Sequence, residues 1–188
     1  DMAGVERRLA KTIGLGVMYG MGYNKMAREL DIDPQDAKKM LADFRQRVPF
    51  MQGMLEAVMN RANSKGIIRT LLGRKCRFDL WEPSSWGVHK ALPHNQAKVE
   101  YGDAIKRAGT YKALNRLIQG SAADQTKKAM VDVYEELGVT PLIQVHDELD
   151  CSVKGEKEAK EIQRVMETCV ELEVPSKADI DLGESWGG

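Results

Sequence analysis

The sequence holds too little cysteine to build a disulfide framework or a zinc site. Cys76, Cys151 and Cys169 are odd in number, far apart and match no zinc-ligand spacing. That excludes the small secreted disulfide scaffolds and suits a reducing, cytoplasmic compartment. Long apolar runs are missing too. None approaches the ~20 residues that a membrane-spanning helix needs, so no membrane association is expected. The opening Asp1-Met2-Ala3-Gly4 lacks a signal-peptide pattern, and there is no internal repeat or low-complexity tract. It also lacks an initiator Met, while Glu6-Arg7-Arg8 reads as a first helical turn. The chain is therefore expected to begin partway through a domain.

Net charge is absent as well, with 28 basic and 28 acidic residues. The balance is global, not local. Residues 1–80 hold 15 Lys/Arg against 9 Asp/Glu, 81–134 hold 8 against 5, and 135–188 hold 5 against 14. A basic front and an acidic back allow a phosphate-facing surface beside a carboxylate-rich one. A solvated acidic face on the last helix explains much of the same imbalance. What is present suffices for a core: 43% of the 188 residues are apolar, enough for one sizeable domain or two small ones.

Periodicity predicts a mostly helical chain. Residues 5–20 read as a helix despite Gly14, Gly16 and Gly20, each costing ~1 kcal/mol relative to Ala. Packing, a close ligand or a need to bend must support it. Asp33-Pro34-Gln35-Asp36 supplies an N-cap, a first-position Pro and a first-turn acid, followed by Ala37, Met40, Leu41 and Phe44 on one face. A second helix is expected over 49–62, ended by Gly66, then a hairpin of 67–71 and 75–79 around Leu72-Gly73-Arg74. Residues 80–95 read as a loop, 96–108 as a helix, and 111–137 as a long helix closed by Gly138. Strands are expected at 140–145 and 148–153, with only His146-Asp147 between them. A last amphipathic helix at 156–172 turns Ala159, Ile162, Met166, Cys169 and Val170 inward, and a final strand follows at 178–182.

Three groups of residues suit phosphate chemistry. Arg7, Lys11, Leu15 and Tyr19 recur every four residues along one side of a helix. Two cations there can meet a triphosphate, and an apolar side chain and a ring can pack on sugar and base. The same spacing fits an amphipathic helix whose cations face water. Asn115 and Gln119 lie one turn apart and can both donate and accept hydrogen bonds, which suits sequence-blind reading of a minor groove; buried or interfacial amides fit equally. His146-Asp147-Glu148, with Asp150 behind, offers carboxylates to a hard cation such as Mg²⁺. A polar turn is the plain alternative, since Asp and His suit turns.

Taken in order, these segments resemble the A-family DNA polymerases, the bacterial polymerase I and phage replicase group. Arg7-Arg8-Leu9-Ala10-Lys11 through Gly16-Val17-Met18-Tyr19-Gly20 is similar to the family's fingers helix. Leu114-Asn115-Arg116-Leu117-Ile118-Gln119-Gly120-Ser121-Ala122-Ala123-Asp124 resembles its minor-groove helix, and Gln144-Val145-His146-Asp147-Glu148 its palm hairpin. Thr70-Leu71-Leu72-Gly73-Arg74-Lys75 is similar to its Gly-Arg turn, and Gly183-Glu184-Ser185-Trp186 to its tail.

The resemblance implies an α+β fold, mostly helical fingers with part of an antiparallel palm sheet. Fingers would occupy 1–66, and the remaining fingers and palm portion 67–188. It implies that Arg7 and Lys11 contact the triphosphate of a dNTP, with Leu15 near the sugar and Tyr19 by the nascent pair. Asn115, Gln119, Arg74 and His146 would contact primer–template DNA. Asp147 would hold two Mg²⁺ ions, with Glu148 beside it, in a cytoplasm that is bacterial or phage-infected. Two departures stand out: Leu15 replaces the usual Phe or Tyr, and Tyr111 replaces a frequent Arg. Both look more phage-like than bacterial. The family's first palm carboxylate precedes the fingers helix, and Asp31, Asp33, Asp36 and Asp43 have no strand context to replace it. The expected partners therefore include an upstream polymerase portion with that Asp and the thumb. The alternative is a fragment that binds DNA or dNTP but is inactive without it.

Overall fold

The computed structural model describes residues 13, 14, 16, 21–85 and 87–186. It divides into two compact units, Asp1–Ile118 and Gln119–Gly188. The fold is α+β, with helices and, among the described residues, three small antiparallel sheets.

In the first unit, α1 (Tyr23–Leu30), α2 (Pro34–Arg47) and α3 (Pro49–Lys65) follow in succession. Helix α1 was not expected from the sequence. It is short and ends when Asp31 turns left-handed (φ 52°) and its N–H returns to the Ala27 carbonyl. The start of α2 follows the sequence: Asp33 Oδ1 accepts from the Gln35 N–H at 2.7 Å, with Pro34 as the first helical residue. Met26 and Ala27 of α1 bury against Ala37 and Leu41 of α2, with Ile13 in the same cluster. Helix α3 runs one turn past its expected end and stops at Gly66, whose φ of 68° favours glycine.

A hairpin of β1 (Ile67–Arg69) and β2 (Lys75–Arg77) comes next, with Ile68 opposite Cys76. Ile68 and Phe78 join Ala62 and Ala113 in a second core. Two expectations then need correction. The segment 80–95 is not all loop: β3 (Leu80–Pro83) pairs with both β4 (Leu92–Pro93) and β5 (Ile105–Arg107). The Trp81 ring anchors that sheet, with His94 edge-on at 4.8 Å and the Arg107 guanidinium 4.7 Å above it. The helix expected at 96–108 is likewise shorter: α4 (His94–Tyr101) ends at Gly102 (φ 76°), which frees 105–107 to pair as β5. A 3-10 turn (Thr110–Lys112) leads into α5 (Ala113–Leu137), within which the boundary between the units falls.

In the second unit, Gly138 (φ 67°) closes α5, its N–H donating to the Tyr134 carbonyl. Strands β6 (Pro141–Val145) and β7 (Glu148–Cys151) form the expected hairpin, with an irregular register between Pro141 and Ile143. Helix α6 (Glu156–Thr168) buries Ala159, Ile162 and Val165. Ile162 and Val165 share a third core with Val133 and Val139. Val165 takes the inward place expected of Met166, which packs at that core's edge.

The strand expected at 178–182 pairs with no other strand among the described residues. Side chains hold the segment instead. Gln163 donates to the Ala178 carbonyl at 2.5 Å, Glu167 accepts the Ala178 N–H at 3.0 Å, and Gln125 bonds Ser176 Oγ at 2.8 Å.

Candidate functional site

Among the described residues expected at the site, those of the hairpin tip in the second unit have the most constrained backbone geometry. Val145 pairs with Glu148, so His146 and Asp147 alone form the loop. His146 has φ 56° and Asp147 does not share the positive sign. That is the sign pattern of a type II′ turn, whose first central position favours Gly. A non-Gly residue there carries strain of ~1–2 kcal/mol. Gln144 helps hold it, donating from Nε2 to the His146 carbonyl at 2.8 Å. In the sequence Gln144 stands out only as part of a motif; the structure makes it a positioning residue for the tip. The result is a tight two-residue tip on which His146, Asp147 and Glu148 are all exposed. Further along β7, burial pushes the Cys151 thiol up, and the Asp150 carboxylate adds to that shift.

Asp147 and Glu148 are hard oxygen donors, which fits a divalent cation of the Mg²⁺ type. Among the described residues no group of three His, Cys, Asp or Glu gathers as a metal site. The tip can therefore supply one or two ligands, not a full set.

Asn115 and Gln119 both lie on α5, one turn apart, the first half-buried and the second exposed. Arg74 is exposed at the end of the β1–β2 turn. That turn is organised by the Thr70 N–H donating to the Arg74 carbonyl, and by the Gly73 N–H donating to the Thr70 carbonyl. Gly73 has φ 86°, so the Gly-Arg order follows from backbone geometry. Arg7, Lys11, Leu15 and Tyr19 lie outside the described residues. Within that segment Gly16 is buried, and a β-carbon there would collide with the Met21 side chain. Gly14 has open space around it. Close packing against the end of the Met21 side chain thus bears on Gly16 and not on Gly14, and Gly20 lies outside the described residues.

The family model described as DNA polymerase family A matches residues 1–188. The chain belongs to DNA polymerase family A. As a member, it is 37% identical to a DNA-directed DNA polymerase of Pseudomonas phage M6 over 221 aligned positions, covering 100% of this chain and 30% of the phage protein. It is 32% identical to the thermostable DNA polymerase I of Thermus aquaticus, covering 96% of this chain and 20% of that enzyme. Among solved structures, it matches the POL domain of Pol1 from M. smegmatis, in complex with DNA primer-template and dNTP. The TM-score is 0.70 at 30% identity, over 90% of this chain and 28% of that one. The family A chain thus spans less than a third of the length of these relatives. No described helix is long and apolar enough to cross a membrane.

Proposed function

We propose that this chain serves template-directed DNA synthesis, in which a deoxynucleotidyl group passes from a dNTP to a primer 3′-hydroxyl. One observation carries the reading: a family match over the whole chain, with Asp147 exposed on a two-residue hairpin tip. Asp147 is the metal-holding carboxylate of this proposal, and Glu148 its neighbour in the carboxylate cluster. Two Mg²⁺ ions, when bound, would stabilise charge on the reacting phosphate and the leaving pyrophosphate. His146 would face the primer terminus. Asn115, Gln119 and Arg74 would contact the primer–template duplex. Arg7 and Lys11 would bind the triphosphate, with Leu15 and Tyr19 against sugar and base. Fingers residues at 1–66 would then serve the nucleotide, and 67–188 the rest of fingers and palm. A bacterial cytoplasm or a phage-infected host would be its setting.

A second reading is that the chain binds DNA or dNTP and polymerises only with a polypeptide carrying the first palm Asp and the thumb. The 30% and 20% shares of the relatives' lengths favour it. Extension of a labelled primer separates the two. Activity in the chain alone supports the first, and activity only on adding that polypeptide supports the second. Equal extension with Asp147 and Asp147→Ala would remove Asp147 from both.

A further inference from the structure

The sheet of β3, β4 and β5 extends the Arg107 side chain into the base of the β1–β2 hairpin. Its Nε donates to the Asn63 carbonyl at 3.0 Å and its Nη1 to the Phe78 carbonyl at 2.8 Å. Asn63 lies in the last turn of α3, where carbonyls lack a helical partner and a cation is favoured. Phe78 directly follows β2, and its N–H donates to the Gly66 carbonyl at 2.8 Å, closing the hairpin base. One fork thus spans the entry and the exit of the hairpin. Gly66 lies so close to the guanidinium that a β-carbon there would stand 2.6 Å from Cζ. The Trp81 ring, opposite Arg107 in the β3–β5 register, packs on it at 4.7 Å. A planar guanidinium can serve two carbonyls and a ring together, whereas a lysine ammonium is a point charge without that fork.

The hairpin is a lever on that base. Phe78 and Arg74 are four residues apart, about 13 Å along an extended strand. A tilt of about 5° at the base then moves the turn by about 1 Å, a displacement large enough to spoil a positioned contact. The turn is fixed within itself by the Thr70–Arg74 and Thr70–Gly73 backbone bonds, and by Arg69 Nη1 donating to the Gly73 carbonyl at 2.9 Å. It therefore moves as one piece. We infer that Arg107 is a positioning residue for Arg74, fixing the hairpin base so that the turn meets a phosphate of the primer–template duplex. The inference rests on the polymerase reading for the duplex. It goes beyond that reading by giving the β3–β5 sheet a part in DNA contact that needs no contact of its own.

The test is fluorescence anisotropy of a labelled primer–template with the 188-residue chain, across a salt series. Arg74→Gln should weaken binding about 10-fold and lower the log–log salt slope by ~0.9, one phosphate's worth on a duplex. Arg107→Lys keeps the charge and loses the fork, and should cause the same two losses. A residue that mattered only for charge would leave the slope intact in that variant. Arg107→Lys/Arg74→Gln should be no worse than either single variant, because both remove one contact. Native-state amide exchange adds a readout free of DNA. In Arg107→Lys the Thr70 and Gly73 amides should exchange about 10-fold faster, with the amides of β6 and β7 unchanged. Wild-type affinity and slope in Arg107→Lys would overturn the proposal and leave the polymerase reading standing. So would additive losses in the double variant, or an equal rise in exchange at β6 and β7, which marks a general loss of stability. Failure of the unaltered chain to bind the duplex would instead sink the polymerase reading, and the proposal with it.

Discussion

Two residues hold backbone conformations that their side chains make costly or that only glycine takes freely, and each gives a quantitative test. At the hairpin tip, His146 occupies φ 56°, where β-branched residues are strained most. His146→Val is expected to cost about 1–2 kcal/mol relative to His146→Gly in urea unfolding. Equal stability of the two would mean that the tip is not a tight turn. At Gly66, φ is 68° and a β-carbon would come within 2.6 Å of the Arg107 guanidinium. That guanidinium cannot step aside freely, because Nη1 donates to the Phe78 carbonyl and Nε to the Asn63 carbonyl. Gly66→Ala should therefore destabilise by about 2 kcal/mol. In an Arg107→Ala background the loss should fall to about 1 kcal/mol, the left-handed strain alone. The His-Asp tip was legible in the sequence because two turn residues sat between two strand patterns. The role of Gln144 was not, since a side chain reaching back to a carbonyl two residues on leaves no periodic trace.

At the scale of elements, boundaries marked by a named side chain were legible and those set by long-range pairing were not. Asp33 and Pro34 announced α2, and the cap bond is there at 2.7 Å. Asp33→Ala should cost about 1 kcal/mol in thermal or urea unfolding while leaving the fold unchanged by far-UV dichroism. A loss near zero would show that the exposed cap is replaced by water. Gly66 and Gly138 marked helix ends in the same way. The sheet of β3, β4 and β5 was not legible because its strands run two to four residues, too few to show alternation. Its partners are also separated by a helix, so no hairpin signal links them. The opposite error came at 178–182, where alternation suggested a strand. The segment is held by side chains of α5 and α6, Gln125, Gln163 and Glu167, and needs no ladder.

For the whole molecule, composition alone was a poor guide and order was a good one. Zero net charge hid a basic front and an acidic back, and each candidate group had an ordinary structural explanation by itself. The order of the motifs along the chain supplied the resemblance, and the family match over residues 1–188 bears it out. Packing did not need to be legible for that. The cores are built mostly from Ala, Ile, Val and Leu that many folds use, whereas Asn115, Gln119 and the His-Asp tip are polar groups placed at exposed or half-exposed positions. The central claim is that Asp147 holds the metal for nucleotidyl transfer. It is tested most directly by primer extension with Mg²⁺, using this chain alone and with an added polypeptide that carries a first palm carboxylate and thumb. Asp147→Ala should reduce extension by about 100- to 1,000-fold, the scale of losing a principal transition-state contact, with thermal stability unchanged because the side chain is exposed. Extension at the same rate with and without the Asp147 carboxylate would contradict the account.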